Sequence, residues 1–286
     1  MSDTALLTIE RLSVTFGKAP PAVRNVSIAV EPGRRVGIIG ESGSGKSVSA
    51  MSVLRLNDER KMRYGRDSAI WFDGVNLLAA KQSAVNAVRG AEISMIFQDP
   101  TTSLNPVFRV GRQISDVLCT HRPELRREAR RMVLESLESV GIRDPERVYR
   151  SYPHQLSGGM RQRVMIAMAV AAGPRLLIAD EPTSALDVTV QAAVLDMLGA
   201  LADDRGMSVL MITHDMGVVA RFCDDVNVMY AGEVVESGPV ADILTAPRHD
   251  YTKSLLAAVP RVRPAPGPGP GDTASPPDEQ KRVQSS

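Results

Sequence analysis

Apolar and polar residues alternate with a period of two along the first part of the chain, which is the pattern of half-buried β-strands. One alternating stretch extends from residue 7 to residue 16, and a second from residue 23 to residue 30. Turn residues at 20–21 and 31–33 separate these stretches, and a short apolar run at 36–39 follows. We therefore predict an antiparallel β layer that leads into a buried third strand.

Beyond this layer, short apolar runs alternate with stretches that have helical spacing. Further strands are predicted at 69–78 (with a turn at 73–74), 93–96, 176–179, 209–212, 226–230 and 233–235. Helical spacing occurs at 48–54, 124–141, 161–172 and 190–198, whereas the polar stretch 57–65 is predicted to be a surface loop. Alternating strands and helices predict an α/β fold.

The stretch 101–153 lacks strand patterns, and we predict a helical insert at about 101–160. Arginines crowd the start of its helix at 124–141, but glutamates are interleaved with them. A solvated face of mixed charge is therefore favoured over a patch that binds a polyanion.

The composition and charge of the chain limit its size class, the molecules that it can bind and its location. The chain has 286 residues, of which 43% are apolar, enough for one large domain or two small ones. A net charge of +1 and an aromatic content of 4% argue against a dedicated nucleic-acid binder. Cys119 and Cys223 are far apart in the sequence and are expected to be buried thiols in a reducing compartment. With no signal-peptide pattern and no run of ~20 apolar residues, we expect a cytosolic chain, unless a partner holds it at a membrane.

The loop after the third strand reads GESGSGKS, residues 40–47, and a helical pattern follows it. Strand, glycine loop and helix together are the context of a phosphate-binding P-loop. The glycines allow a tight turn with inward-pointing N–H groups where a side chain would block an oxyanion. Lys46 can reach the β- and γ-phosphates, and the Ser47 hydroxyl can ligate Mg²⁺. A Gly/Ser-rich turn could imitate the motif, but its flanking elements favour a nucleoside triphosphate site.

Polar side chains also follow three of the predicted strands. Asp180 and Glu181 end an apolar strand, where unpaired carboxylates would be costly, so we predict that Asp180 holds Mg²⁺ and Glu181 polarises water. Gln98 either reaches a metal or water near the phosphates or is an ordinary loop glutamine. His214 is interpreted as a γ-phosphate contact rather than a structural histidine, because it follows a strand at the same sheet edge.

A second anion-binding pattern begins the predicted helix at 161–172. Its residues are Leu156, Ser157, Gly158, Gly159 and Met160. Ser157 is a good N-cap, and glycines at a helix start leave backbone N–H groups exposed. A monomer with a single P-loop has no obvious use for a second phosphate-binding site. In a head-to-tail dimer, the second site would have a use.

The motifs occur in the order and spacing of the ATP-binding-cassette (ABC) ATPases, which the chain resembles over about residues 5–245. The resemblance implies a P-loop NTPase fold of the ABC cassette type, with a RecA-like core, an antiparallel β layer and an inserted helical subdomain. It also implies that Phe16 stacks on adenine, where the sequence pattern alone leaves packing against the core equally open. The implied ATP-binding residues are Phe16, Gly40, Glu41, Ser42, Gly43, Ser44, Gly45, Lys46 and Ser47.

Catalytic roles are implied in the same way. Glu181 looks like the catalytic base, His214 like the switch histidine, and Gln98 like the Q-loop glutamine, which also faces a membrane subunit. The implied Mg²⁺ ligands are Ser47, Gln98 and Asp180, and Asp187 looks like the D-loop aspartate. The residues 156–160 look like the signature motif that caps the ATP of a partner cassette.

Several stretches, among them MIFQDPTTSLNPV and SYPHQLSGGMRQRVMIAMA, are similar to the ATPases of dipeptide/oligopeptide and nickel importers. DYTKSLLAAVP looks like the start of their C-terminal extension, expected at 246–260, ahead of a disordered Pro/Gly-rich tail at 261–286. Some members carry a cysteine cluster there. This chain has no cysteine after Cys223, so no iron–sulfur cluster is expected.

The resemblance implies a subunit that hydrolyses ATP to power a bacterial importer of di- or oligopeptides, or alternatively of nickel or another small solute. Its implied partners are a second ATPase subunit (identical or a paralogue), two integral-membrane permease subunits and, indirectly, a solute-binding protein, with no nucleic acid. The implied location is the cytoplasmic face of the inner membrane, as a peripheral subunit. An ABC ATPase that acts on DNA or ribosomes is disfavoured, because the coiled coil or second cassette of those proteins is missing.

Overall fold

The computed structural model describes residues 5–98, 103–184 and 186–257. The predicted tail at 261–286, the last residues of the predicted extension and the first two of the predicted insert lie outside the described residues.

The N-terminal layer is antiparallel, as predicted. Strand β1 (Leu7–Phe16) pairs with β2 (Val23–Val30), β4 (Met62–Tyr64) and β5 (Ala69–Phe72), and β5 also pairs with β6 (Val75–Asn76). The prediction of a surface loop at 57–65 is wrong for β4. Met62 is only 5% exposed and pairs with Phe16, but a strand of three residues is too short to give a clear periodic signal.

A six-stranded sheet forms the centre of the molecule, in the order β11-β10-β3-β9-β8-β7. Its strands are β3 (Arg35–Ile39), β7 (Ile93–Ile96), β8 (Leu176–Asp180), β9 (Ser208–Thr213), β10 (Asp225–Tyr230) and β11 (Glu233–Pro239). All neighbours are parallel except β11, which is antiparallel to β10. The predicted strands are confirmed, and the carboxyl ends of β3, β7, β8 and β9 lie at one edge of the sheet.

Both faces of this sheet are covered at β7, β8 and β9, which is why these strands are buried almost throughout. On β8, Leu176 and Ile178 belong to a core shared with the N-terminal layer. Leu177 and Ala179 belong to a second core, on the side of the helices. The helices outside the insert are α1 (Lys46–Val53), α2 (Gln82–Val88), α6 (Gly158–Val170), α7 (Val188–Arg205), α8 (Met216–Phe222), α9 (Val240–Thr245) and α10 (Asp250–Ala257).

The described part of the insert is helical, with α3 (Val110–His121), α4 (Ala129–Ser139) and α5 (Pro145–Arg150). The prediction of a single helix over 124–141 is wrong at its N-terminal end. Pro123–Leu125 forms a 3₁₀ turn, and the N–H groups of Leu125, Arg126 and Glu128 each bond three residues back, so the α-helix begins only at Ala129. Arg131 pairs with Glu128 and Glu135, as expected for a solvated face.

No helix in the described part of the chain is both long and apolar enough to cross a membrane. Cys119 and Cys223 are free cysteines, and Cys119 is only partly buried, contrary to expectation. Cys223 ends α8, where part of its surface reaches solvent, but its Sγ points towards Gly37 on β3. Burial of the thiol raises the pKa of Cys223 to about 12.

Candidate functional site

The P-loop, residues 40–47, joins β3 to α1, and the helix begins at Lys46 as predicted. Two of its glycines are required by neighbouring backbone. A Cβ at Gly40 would lie 2.1 Å from the Met229 carbonyl oxygen, and one at Gly45 (φ +98°) would lie 2.6 Å from the Ala22 carbonyl oxygen. These glycines therefore let the loop pack closely against the start of β2 and the end of β10. The sequence pattern did not show this reason for glycine at the two positions.

Lys46 is held inside the loop. Its Nζ donates to the carbonyl oxygens of Gly40 and Glu41, at 2.7 Å each, and the residue is only 6% exposed. Burial lowers the pKa of Lys46, and the nearby carboxylates of Glu181 and Asp180 oppose this shift. The Oγ of Ser44 is also buried and has no partner among the described residues. An ammonium group, an unpaired hydroxyl and a helix N-terminus fit a phosphate group.

Ser47 and Asp180 meet at the start of α1. The Ser47 hydroxyl donates to Asp180 Oδ1 at 3.1 Å, and Asp180 is 7% exposed. Burial raises the pKa of Asp180, and the hydrogen bond from Ser47 opposes that shift. Mg²⁺ in nucleotide sites takes one or two protein oxygens besides phosphates and waters, so this pair fits the ion.

Glu181 lies between two of the other predicted catalytic residues. Gln98 Nε2 donates to Glu181 Oε2 at 3.1 Å, and His214 Nδ1 lies 3.0 Å from Glu181 Oε1. Three adjacent strands, β7, β8 and β9, thus deliver the three predicted catalytic side chains to one point. The Gln98 amide is directed at Glu181 and forms no hydrogen bond with Ser47 or Asp180 in the described structure, so its role as a metal ligand stays a prediction.

The backbone at Glu181 is unusual. Its φ of +48° places a non-glycine residue in the left-handed region, at a cost of about 1–2 kcal/mol. The Glu181 N–H donates to the Ile212 carbonyl oxygen at 2.8 Å, which fixes this turn against β9. The turn carries the carboxylate out of the end of β8 towards Gln98 and His214. Strain of this kind is concentrated at functional sites, where the surrounding structure maintains it.

Sequence reasoning missed Gln162. This residue is 3% exposed on α6, and its Nε2 donates to the carbonyl oxygen of Pro182, the residue after Glu181. The helix that carries the signature motif is therefore joined to the turn that carries Glu181. The available signal was a polar residue within a helix that is otherwise apolar on its buried side.

The signature motif begins α6 as predicted. Ser157 caps the helix, its Oγ accepting from the Met160 N–H at 3.3 Å, and both Ser157 and Gly158 are exposed. Leu156 is instead 5% exposed and belongs to the core, so it anchors the motif. Within the described chain, no hydrogen bond joins these residues to the P-loop.

Two predicted site residues make local contacts within the described structure, and their roles in binding nucleotide stay predictions. Asp187 caps α7, its Oδ1 accepting from the Thr189 and Val190 N–H groups at 3.1 and 3.0 Å. Phe16 is half-buried and packs against the core on the side of the N-terminal layer. The turn after Phe16 ends at Ala22, whose carbonyl oxygen lies beside Gly45, so Phe16 belongs to a segment that borders the P-loop.

Comparison with known proteins decides the family. The family described as "ABC transporter" matches residues 23–184, which include the P-loop, the signature motif, Asp180 and Glu181. The chain belongs to the ABC transporter family. A second family, described as "Oligopeptide/dipeptide transporter, C-terminal region", matches residues 235–284 of this ABC protein.

Curated relatives are similar over nearly the whole chain. The protein named "Peptidoglycan transport ATP-binding protein YejF" from Agrobacterium fabrum is 51% identical over 91% of this chain, which spans 48% of that relative's length. A "Putative peptide import ATP-binding protein" from Brucella abortus is 47% identical over 91% of this chain and 79% of its own length. The chain thus spans about half of the first relative and four fifths of the second.

Solved ABC cassettes have the same fold. The dimeric ATP-binding cassette MJ0796, in a post-hydrolysis state with ADP and Pi, matches with a TM-score of 0.70 and 26% identity over 82% of this chain and 98% of its own. The cbiO1 protein of Clostridium perfringens, part of the ABC transporter complex cbiONQ, matches with a TM-score of 0.73 and 26% identity over 84% and 91% of the two chains. The prediction of an α/β ABC cassette is confirmed.

Proposed function

We propose that this ABC cassette hydrolyses ATP at the site formed by Lys46, Asp180 and Glu181 and thereby powers a bacterial importer of di- or oligopeptides. The observation that carries the hydrolytic part is the position of Glu181, held by Gln98 and His214 at the sheet edge that also bears the P-loop. Support for a peptide cargo comes from the family matched at 235–284 and from the name of the Brucella abortus relative.

In the proposed mechanism, each residue of the site contributes to one step. Lys46 and the N–H groups of the P-loop bind the β- and γ-phosphates of ATP. Ser47 and Asp180 would hold Mg²⁺, which would neutralise charge on the phosphate oxygens when bound. Glu181 accepts a hydrogen bond from a water molecule and orients it for attack on the γ-phosphorus. The water oxygen forms a bond to this phosphorus as the β–γ bridging bond breaks, which gives ADP and inorganic phosphate. Gln98 and His214 fix the Glu181 carboxylate in the required orientation.

Lys46→Ala tests the phosphate site. Charge-assisted hydrogen bonds contribute about 1.5–3 kcal/mol each, so we expect MgATP affinity to fall by about tenfold to a hundredfold. Isothermal titration calorimetry measures the affinity, and thermal denaturation reports whether the variant is folded. Lys61→Ala is the matched control, because that side chain is 80% exposed and forms a surface ion pair with Asp58. Unchanged binding in a folded Lys46→Ala variant would contradict the proposed site.

A membrane partner is proposed from an apolar groove next to the site. A cavity of about 470 Å³ is lined by Met95, Ile96, Phe97, Met165 and Met168 among others. Phe97 is 45% exposed, and it directly precedes Gln98, which bonds Glu181. A permease segment in this groove would contact Phe97, and the next residue, Gln98, contacts the Glu181 carboxylate. Movement of the permease could therefore change the position of Glu181. We propose that the permease subunits dock here, with the ATPase subunits at the cytoplasmic face of the inner membrane.

Uptake by the assembled transporter in vesicles tests this coupling and the cargo. We expect ATP-dependent uptake of a labelled tripeptide and no uptake of Ni²⁺.

Phe97→Asp is expected to abolish peptide uptake but to preserve the MgATP affinity of the isolated subunit, because a charge in the groove disfavours apolar docking. Val75→Asp is the control, since Val75 is similarly exposed (49%) but lies on the N-terminal sheet. Nickel uptake would select the alternative cargo, and normal uptake by Phe97→Asp would contradict the docking groove.

A further inference from the structure

The helix α10 (Asp250–Ala257) returns to the P-loop from beyond the cassette. The backbone N–H of Glu41, the second residue of the P-loop, donates to the hydroxyl oxygen of Tyr251 at 2.9 Å. The two residues are 210 positions apart in the sequence. Tyr251 lies in the segment predicted to begin the C-terminal extension and within the second matched family. A residue outside the nucleotide motifs thus contacts the loop that binds phosphate.

Several contacts hold Tyr251 in this place. The Glu236 carboxylate on β11 accepts from the backbone N–H groups of Arg248 and His249, at 2.7 and 3.0 Å, which fixes the chain just ahead of α10. The Tyr251 N–H donates to His249 Nδ1 at 3.2 Å. Its ring lies against the ring of Tyr230, with centroids 4.4 Å apart and planes tilted by 35°. The hydroxyl is therefore positioned by anchors on β10 and β11, both outside the P-loop.

The contact restrains the backbone of Glu41, the second residue of the P-loop. The Glu41 carbonyl oxygen accepts from Lys46 Nζ at 2.7 Å, while the Glu41 N–H is taken by Tyr251. Both polar groups of this residue's backbone are thus bound, one by the phosphate-binding lysine and one by the extension. Burial raises the pKa of Tyr251, so the phenol is neutral at pH 7 and accepts the hydrogen bond without charge.

We propose that Tyr251 is a positioning residue of the ATP site, through which the C-terminal extension holds the P-loop in the conformation that binds ATP. The inference rests on the proposed binding of ATP at Lys46. Tyr251 contacts the loop backbone rather than the reacting groups, so it acts on the affinity for ATP and leaves the chemical step to Glu181. A cassette without this helix would have to fix the second P-loop residue by other means.

Tyr251→Phe removes the hydroxyl and keeps the ring stacked on Tyr230. A neutral hydrogen bond of this kind contributes enough for an affinity change of about three- to tenfold, so we expect the Kd for MgATP to rise by that factor. The KM for ATP of the assembled transporter should rise in parallel, while kcat at saturating ATP is unchanged. Tyr230→Phe is the matched control, because it removes a hydroxyl from the other ring of the same pair, one with no hydrogen bond in the described structure.

The outcomes separate this inference from the proposed function. If wild type binds MgATP but Tyr251→Phe and Tyr230→Phe both bind it equally well, the positioning role is overturned while the ATP site stands. If Tyr251→Phe lowers kcat and the melting temperature together with the affinity, the hydroxyl supports the fold in general, and the positioning role is again overturned. Failure of the wild-type protein to bind MgATP would instead overturn the proposed function.

Discussion

Glu181→Gln is expected to lower the steady-state ATPase rate of the assembled transporter by about a hundredfold or more, while ATP binding persists. The substitution keeps the size of the side chain and its place between Gln98 and His214, but it removes the carboxylate that is proposed to accept a hydrogen bond from water. The proposed phosphate contacts of Lys46 are untouched, which is why binding is expected to survive. Phosphate release measures the rate, and calorimetry on the isolated subunit measures ATP affinity.

Glu135→Gln is the control for this experiment. Glu135 lies on α4 and is half-exposed in an ion pair with Arg131, and pairs of this type contribute little to stability. We expect this variant to hydrolyse ATP like wild type. A Glu181→Gln rate within about threefold of wild type would remove Glu181 from the catalytic role. Loss of ATP binding in that variant would instead place Glu181 in the binding of the phosphates.

The convergence of the proposed catalytic residues could be predicted from the sequence because it follows from parallel strands. Gln98, Glu181 and His214 each follow an apolar run, and the carboxyl ends of parallel strands share one edge. No long-range information was needed to expect them together. The sequence did not predict that Gln98 bonds Glu181 rather than the Ser47–Asp180 pair, because that choice depends on where the turn after β8 directs the carboxylate.

Features that depend on long-range contacts could not be predicted in this way. The requirement for glycine at Gly40 and Gly45 comes from the backbone of Met229 and Ala22, which only the folded sheet brings to the loop. The bond between Tyr251 and Glu41 has the same origin, since α10 reaches the P-loop only after β10 and β11 have formed. Local periodicity reports which face of an element is buried, but it does not report which distant backbone lies there.

Ser157→Arg is expected to abolish ATP hydrolysis while the affinity of the isolated monomer for ATP changes little. The exposed start of α6, with its cap Ser157 and the following glycines, forms no hydrogen bond with the P-loop in the described chain. In a head-to-tail dimer this helix N-terminus would instead face the γ-phosphate bound at Lys46 of the other subunit. Arginine at this position would remove the cap and fill the space that the phosphate requires, whereas ATP binding within one chain is expected to depend on Lys46 and Phe16.

In such a dimer, each ATP would be bound by the P-loop of one subunit and the signature motif of the other. Dimerisation would then depend on nucleotide, because charge-assisted contacts to a phosphate contribute roughly 1.5–3 kcal/mol apiece. Sedimentation velocity of the Glu181→Gln form should therefore show dimers with MgATP and monomers without it, and adding Ser157→Arg should leave monomers in both conditions. Ser83→Arg, at another exposed serine in a first helical turn, should leave the dimer intact. If the second cassette is a paralogue, the Ser157 substitution should disable the site built on that paralogue's P-loop. A dimer indifferent to ATP, or loss of monomer binding in Ser157→Arg, would show that the signature does not act across the interface.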